Sequence, residues 1–425
     1  MASSAPETTW LSERRRKGAS LAQSLELPGP KAKGWEFTDL SELDLDAYGE
    51  ADGGDGASAE AAEAILPAPD GSAFLRQVDS LTLGAELPEP SGNGKPTEPT
   101  VMPLADAAAR YPELVKEHLG SVVPSSDVFV ARNEASWTGG AFVYVPRGQR
   151  FDMPIGLTAI QGAAGTAMGW RSLIVLEEGA EAEVWEQYLA GDPGADALFN
   201  GVTELRVGAG ANLRFVCGQD LSDSAWVFAT QRAEVERDAT LDWLALGFGS
   251  ARGKVRMETK LAGRGSSAKV TGAYAGLGTQ HLDYDTTQEH AAPDTVSDLA
   301  FRGVLSDAAT SVWRGMIRVD RDAQHTDAFQ ESRNLLLSDR AHADSIPGLE
   351  IEADDVRCTH AAAIAQVDPE QLYYLRSRGL LEPEAKRLVI DGFLQELVNR
   401  TIEGPIRDAL AGALERRLGE LLDSA

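Results

Sequence analysis

The sequence predicts a mainly β protein, a parallel β-helix core flanked by N-terminal and C-terminal helical domains. Three observations lead there. A turn pattern recurs, Leu or Val, three variable residues, then usually Ala or Gly, as in "LEEGA", "VGAGA", "VERDA" and "LAGRG". Its last positions, 180, 211, 239 and 265, are 31, 28 and 26 residues apart, the scale of one coil of a solenoid. Between these turns lie short runs rich in Val, Leu, Phe and Trp. After residue 365 the chain turns from strands to capped, amphipathic helices.

Residues 1–125 read as an N-terminal domain of helices and loops. "LADAAARYPELVKEHLG" is an amphipathic helical stretch with Gly120 as its stop. "YGEADGGDGASAEAAEA" and "LPEPSGNGKPTEPTVMP" read as flexible connectors, being rich in Gly, Pro, Ser and acid.

Residues 126–365 form the expected β-helix core. The turn pattern continues in "LSDAA", "VDRDA" and "LSDRA", and helical patterning is nearly absent. A single coil cannot bury its own apolar face, so neighbours must stack. Small residues are needed where the backbone reverses. A sandwich would instead show hairpin dipeptides at strand junctions, and the one clear case, "SGNGK", lies outside this region.

Residues 366–425 form the C-terminal helical domain. Asp368, Pro369 and Gln371 fit the N-cap, N1 and N3 positions of a helix that Gly379 ends. Ile390, Phe393, Leu394 and Leu397 make an i, i+3, i+4, i+7 stripe, and Leu410, Leu414, Leu418 and Leu421 a second, split by Gly404–Pro405. The stripes either pack against each other and the solenoid or offer a face to a partner.

The chain has 425 residues, two cysteines and a formal net charge of −27. This acidity disfavours nucleic-acid binding, which needs clustered cations. No run of about 18 apolar residues is present, so no membrane partner is expected. Two cysteines and no apolar leader point to the reducing cytoplasm. No G-x-x-x-x-G-K-[ST] loop, G-x-S-x-G elbow or H-E-x-x-H helix is found, so the chain should bind no nucleotide and act as no enzyme of those classes.

Of the histidines, His118 reads as solvated, and His281, His290, His325 and His342 as structural. Cys217, in "LRFVCGQD", reads as a buried inert thiol. Cys358 and His360 differ. In a strand, residues two apart share a face, which brings a thiolate and an imidazole together about 7 Å apart at their Cα atoms. Two ligands leave a four-coordinate site half empty. The pair is therefore structural or completed by a partner chain.

"RNLLLSDRAHADSIPGLEIEADDVRCTHAAAIAQVDPEQLYYLRSRGL" resembles the SufB/SufD family of the SUF iron–sulfur cluster assembly system, on its SufD side. "QEHAAPDTVSDLAFRGVLSDAATSVWRGMIRVDRDAQHTDAFQ" fits the same family, as does "GWEFTDLSELDL" near the start. The resemblance covers most of 127–400 and is specific over 280–400. It implies a non-catalytic subunit whose β-helix pairs with a SufB-like paralogue, with a transient iron–sulfur cluster formed near their interface. It implies docking of a SufC-like ABC ATPase on the C-terminal helices. The family's functional histidine falls on His360 and its cysteine on Cys358. The glycine usual after that histidine is Ala361 here. SufB-type chains lack "DDVRCTH" and usually carry more cysteines, which leaves a SufB-like scaffold as the alternative. A carbohydrate-active β-helix enzyme is the more distant one.

Overall fold

A computed structural model describes residues 8–50, 62–86 and 94–423. The chain winds into a β-solenoid of about eight turns built from two ten-stranded sheets. One sheet runs from Thr100–Pro103 and Gly139–Val145 through every second later strand to His342–Ile351. The other runs from Leu81–Glu86 and Ala73–Val78 to Arg357–Gln366. From Ile155 on, successive coils pair in parallel and without register shifts, for example Glu181 with Asn212 and Asn212 with Thr240.

The repeat has a physical cause in the turns. The small residue that closes most of them, such as Ala180, Ala211, Ala239, Ala309 or Ala323, is fully buried beneath the bend, whereas in the turn after Leu261 the expected Gly265 is exposed in the left-handed region (φ 73°) and Ser266 takes the buried place. A larger side chain would have no room there. The backbone passes through the left-handed region at Gly179 (φ 69°) and Asp238 (φ 56°) just before it, a conformation that Gly and Asp tolerate best. Inward-facing residues such as Phe215, Trp243, Phe301 and Trp313 fill the space between the sheets.

The helical expectation for 126–365 needs one correction. Val128–Ser136 is a helix, capped by Asp127, whose carboxylate accepts the N–H groups of Phe129 (2.9 Å) and Val130 (3.0 Å). The first 125 residues likewise supply strands as well as helices. The stretch expected to be one helix breaks at Tyr111 into Leu104–Arg110 and Pro112–His118, and Gly120 (φ 76°) does end it. His118 is half-buried rather than solvated, and burial lowers its pKa. Of the two stretches expected to be connectors, residues 51–61 and 87–93 lie outside the described residues, while the end of the second, Thr100–Pro103, is a strand rather than a flexible link.

The two ends of the solenoid are finished differently. At the start, Leu81–Glu86 and Thr100–Pro103 pair antiparallel with their neighbours. The helices of residues 104–118 pack nearby against Phe142, Tyr144 and Leu173. Buried Arg171 holds this region through Glu134 (3.0 Å) and Glu204 (2.7 Å), and Glu204 accepts the N–H groups of Gly120, Val122 and Val123. The segment "GWEFTDLSELDL" straps the outside of the coils. Glu36 pairs with Arg314 (2.7 Å), Thr38 donates to Asp283, and Glu42 pairs with Arg252.

The C-terminal stripes resolve as core. Ile390, Leu394, Leu397, Leu410, Leu414, Leu418 and Leu421 are buried with Val216, Leu244 and Phe248 of the solenoid. Arg417 reinforces this by donating to the carbonyls of Phe248 (2.7 Å) and Ala275 (3.2 Å). Arg302 ties Glu396 (3.3 Å) to the coils.

Candidate metal-handling site at the open end

Among the described residues nothing caps the far end of the solenoid. His342–Ile351 and Arg357–Gln366 each pair on one side only, with the preceding coil. Helix Pro369–Ser377 follows directly and has no buried residue. An uncapped end exposes apolar side chains together with unpaired backbone groups. Here Leu349, Ile351 and Ile364 are among the large hydrophobics left exposed.

Cys358 and His360 lie on this last strand and share a face, as their spacing predicts. Cys358 stands in register with buried Ala328 and His360 with buried Gln330, so both point toward the lumen between the sheets. Cys358 is half-buried against an apolar cluster that includes Ile317, Val319 and Ala328. That burial pushes its thiol pKa up, and the nearby Asp327 carboxylate adds to the shift. The thiol is therefore protonated at neutral pH until a metal or a base displaces the proton. His360 is exposed, and among the described residues no hydrogen bond to its ring is found. No group of three or more His, Cys, Asp or Glu able to hold a metal occurs among the described residues. Two such side chains could fill at most half of a tetrahedral ligand set, and here they point into an open lumen.

Beneath the pair the lumen turns polar. Gln330 reaches across it, donating to the carbonyls of Gly315 (3.2 Å) and Gly348 (3.1 Å) on the opposite sheet. Gly315 must be glycine, because a Cβ there would lie 2.1 Å from Trp313 and 2.6 Å from Gln330 Oε1. Asn334 donates to Ser345 Oγ (3.0 Å) and accepts from Tyr274 (2.6 Å). Trp313 Nε1 and Gln330 Oε1 are buried without partners among the described residues. Neutral polar residues in strands carry no periodic signal of their own, so sequence reasoning missed this lining.

The other singled-out residues lie elsewhere. Cys217 is buried mid-solenoid, accepts from Trp243 Nε1 (3.4 Å), and has its thiol pKa pushed up by burial to about 12. His290 is buried between Thr295 (2.8 Å) and Ser297 (2.9 Å). His281 contacts Thr310 (2.8 Å) on the outer face. His325 bridges Asp294 and Asp355 in the turns, and His342 pairs with Asp344. None of them joins Cys358 and His360.

Residues 159–393 match the core domain of the SufBD proteins of SUF-system FeS cluster assembly, and residues 88–157 match the SufBD N-terminal region. The chain belongs to the SufBD family. It is 29% identical to the iron–sulfur cluster assembly protein SufD of Bacillus subtilis, over 97% of this chain and 95% of that protein. An iron–sulfur cluster assembly SufBD family protein of Mycobacterium tuberculosis is 30% identical over 77% of this chain and 84% of its own. The SufB protein of Bacillus subtilis is 29% identical, over 67% of this chain and 61% of that protein. As a SufBD protein the chain acts in iron–sulfur cluster assembly. Among the described residues no helix is long and apolar enough to cross a membrane.

Proposed function

We propose that this SufBD protein is a SufD-like, non-catalytic subunit of a cytoplasmic iron–sulfur cluster scaffold. It pairs end to end with a SufB-like paralogue, and the nascent cluster, its cargo, forms near the joint. The observation that carries this reading is the open end itself, with two unpaired sheet edges and Cys358 and His360 turned into the lumen between them. A homologous solenoid stacked on this end covers the edges by strand addition. It also brings ligands of its own to face the pair. A thiol and an imidazole suit iron and sulfide held loosely enough to be handed on.

The same reading places a SufC-like ABC ATPase on the C-terminal helices. Since the apolar stripes are core, the docking face must be the surface they leave outside. Tyr373 (75% exposed), Tyr374 (56%), Leu381 (68%) and Leu388 (53%) crowd that surface. Because Arg302 and Arg417 fix the last two helices to the coils, ATPase movement there would reach the open end through a stiff body.

The test is co-expression with a SufB-type and a SufC-type chain, followed by pull-down. Loss of SufB-type capture on Ile364→Asp, with SufC-type capture retained, supports the end-to-end joint. Undiminished capture of both contradicts it.

A further inference from the structure

The two long C-terminal helices are held to the coils by different means. Helix Glu382–Val398 has ion pairs of its own. Glu396 meets Arg302 (3.3 Å), and just past the helix end Arg400 meets Asp298 (3.0 Å) while Lys269 donates to the Arg400 carbonyl. Helix Pro405–Asp423 begins after Gly404, whose φ of 138° favours glycine. Between this helix and the sheet beneath it lies a piece of the N-terminal region. Ile65 and Leu66 are buried in one apolar cluster with Leu410, Leu414 and Leu418 of the helix and Val216 and Leu246 of the sheet. The Ile65 carbonyl accepts from Arg416 of the helix (2.9 Å), and the Leu66 N–H donates to Gln187 Oε1 of the sheet (3.2 Å). Gly218 is the notch that receives them. It stands in register between Gln187 and Leu246, and a Cβ there would lie 2.6 Å from Leu66 Cδ1 and 2.7 Å from Ile65 Cδ1.

We infer that Ile65–Leu66 is a latch that sets how readily helix Pro405–Asp423 lifts from the coils. One backbone bond ties it to the helix and another to the sheet, and both side chains fill the seam between them. Lifting the latch empties the notch at Gly218 and takes the carbonyl from Arg416. A void in a packed cluster costs more than the area lost from contact, so the helix above it opens more easily. Helix Glu382–Val398 keeps its ion pairs, so the loosening is confined to the chain after Gly404. The latch itself is rooted in the first coils, because it runs directly into Ala73–Val78, which pairs with Ile155–Gln161. While the latch is seated, the last helix and the coils move as one body. Once it is lifted, the turn at Gly404 absorbs motion of that helix. The inference concerns the free chain and holds whether or not an ATPase docks on these helices.

The test is hydrogen exchange of the isolated full chain, read by mass spectrometry over helix Pro405–Asp423, helix Glu382–Val398 and strand Thr240–Gly247. Gly218→Val fills the notch from the sheet side and alters neither the latch nor the helix, and valine suits a strand. Ile65→Ala combined with Leu66→Ala shrinks the latch itself. Each should speed exchange in Pro405–Asp423 about tenfold or more. Arg416→Ala, at an exposed position, removes the bond to the Ile65 carbonyl and leaves the apolar cluster whole. It should speed exchange in the same helix about threefold or more. Exchange in Glu382–Val398 and Thr240–Gly247 should stay within about twofold of wild type in all three variants. Unchanged exchange of Pro405–Asp423 in Gly218→Val and in the double variant overturns the inference. So does equal quickening of all three segments, which would make Ile65 and Leu66 ordinary core. If the apolar substitutions prevent folding, unchanged exchange in Arg416→Ala overturns it alone.

Discussion

His360 stands in register with Gln330 one coil below it, and Gln330 spans the lumen to both Gly315 and Gly348. The imidazole therefore sits over a polar floor, while Cys358 beside it packs on apolar residues. This asymmetry orders the expected effects of substitution. His360→Ala removes a side chain that supports nothing in the fold, so stability should be nearly unchanged and cluster assembly impaired. Cys217→Ala should keep assembly and cost about 1 kcal/mol of stability, chiefly packing and the lost acceptor of Trp243. Complementation of a strain lacking the native protein under iron limitation, with pull-down to confirm the complex, distinguishes them. Full growth with His360→Ala in an intact complex would make the pair structural.

Isolated, the chain should hold no stable [4Fe–4S] cluster. Such clusters usually need four thiolates. The two here are Cys217, buried mid-solenoid with its pKa near 12, and Cys358 at the open end. Anaerobic reconstitution with iron and sulfide should leave little iron–sulfur absorbance after desalting. One cluster per chain would show that the ligand set is complete without a partner.

The C-terminal surface and its core can be separated by substitution. Leu388→Asp combined with Tyr374→Ser should abolish capture of a SufC-type ATPase and leave the unfolding midpoint nearly unchanged. Ile390→Ala, at a fully buried position, should cost about 2–5 kcal/mol and keep capture while the protein stays folded. Truncation after Gly379 is uninformative as a docking test, because it strips the apolar cluster from the solenoid. Unchanged capture by the double variant would move the docking site elsewhere.

Much of the fold was legible because its constraints are local. A buried small residue at each turn imposes a visible repeat, as Ala180, Ala211 and Ala239 show. Helix Val128–Ser136 was not legible, since "VFVA" has the composition of a strand and only the Asp127 cap marks a helix. The shared face of Cys358 and His360 followed from period-two geometry. That their strand lies near the open end followed from the switch to helices after residue 365, since no later strand is left to stack above it. The polar floor at Gln330 became visible only once register was known.

Acid should weaken the fold through His290. Burial lowers its pKa to about 4 in the folded protein, against about 6.5 in an unfolded chain. The unfolded state therefore binds the extra proton between these values. Stability is fully present above about pH 6.5, falls as pH drops toward about 4, and then levels, for a loss on the order of 3 kcal/mol. Asp220, whose buried carboxyl is raised to about 6, acts in the opposite sense over nearly the same range. The comparison must therefore be between wild type and His290→Asn. Urea unfolding at several pH values should give the variant a smaller decline from pH 7 to 4. Identical declines would mean that His290 is protonated in the folded state.

The central claim is that this SufBD protein handles iron and sulfide only at a joint with a partner. Its most direct test is native mass measurement of the chain purified anaerobically, alone and co-expressed with SufB-type and SufC-type chains, with iron and sulfide determined on each sample. The account predicts an assembly containing all three chains that carries iron and sulfide, which His360→Ala reduces without dissolving it, and a metal-free isolated chain. Stoichiometric iron and sulfide on the isolated chain, or an assembly whose iron is indifferent to His360→Ala, would contradict it.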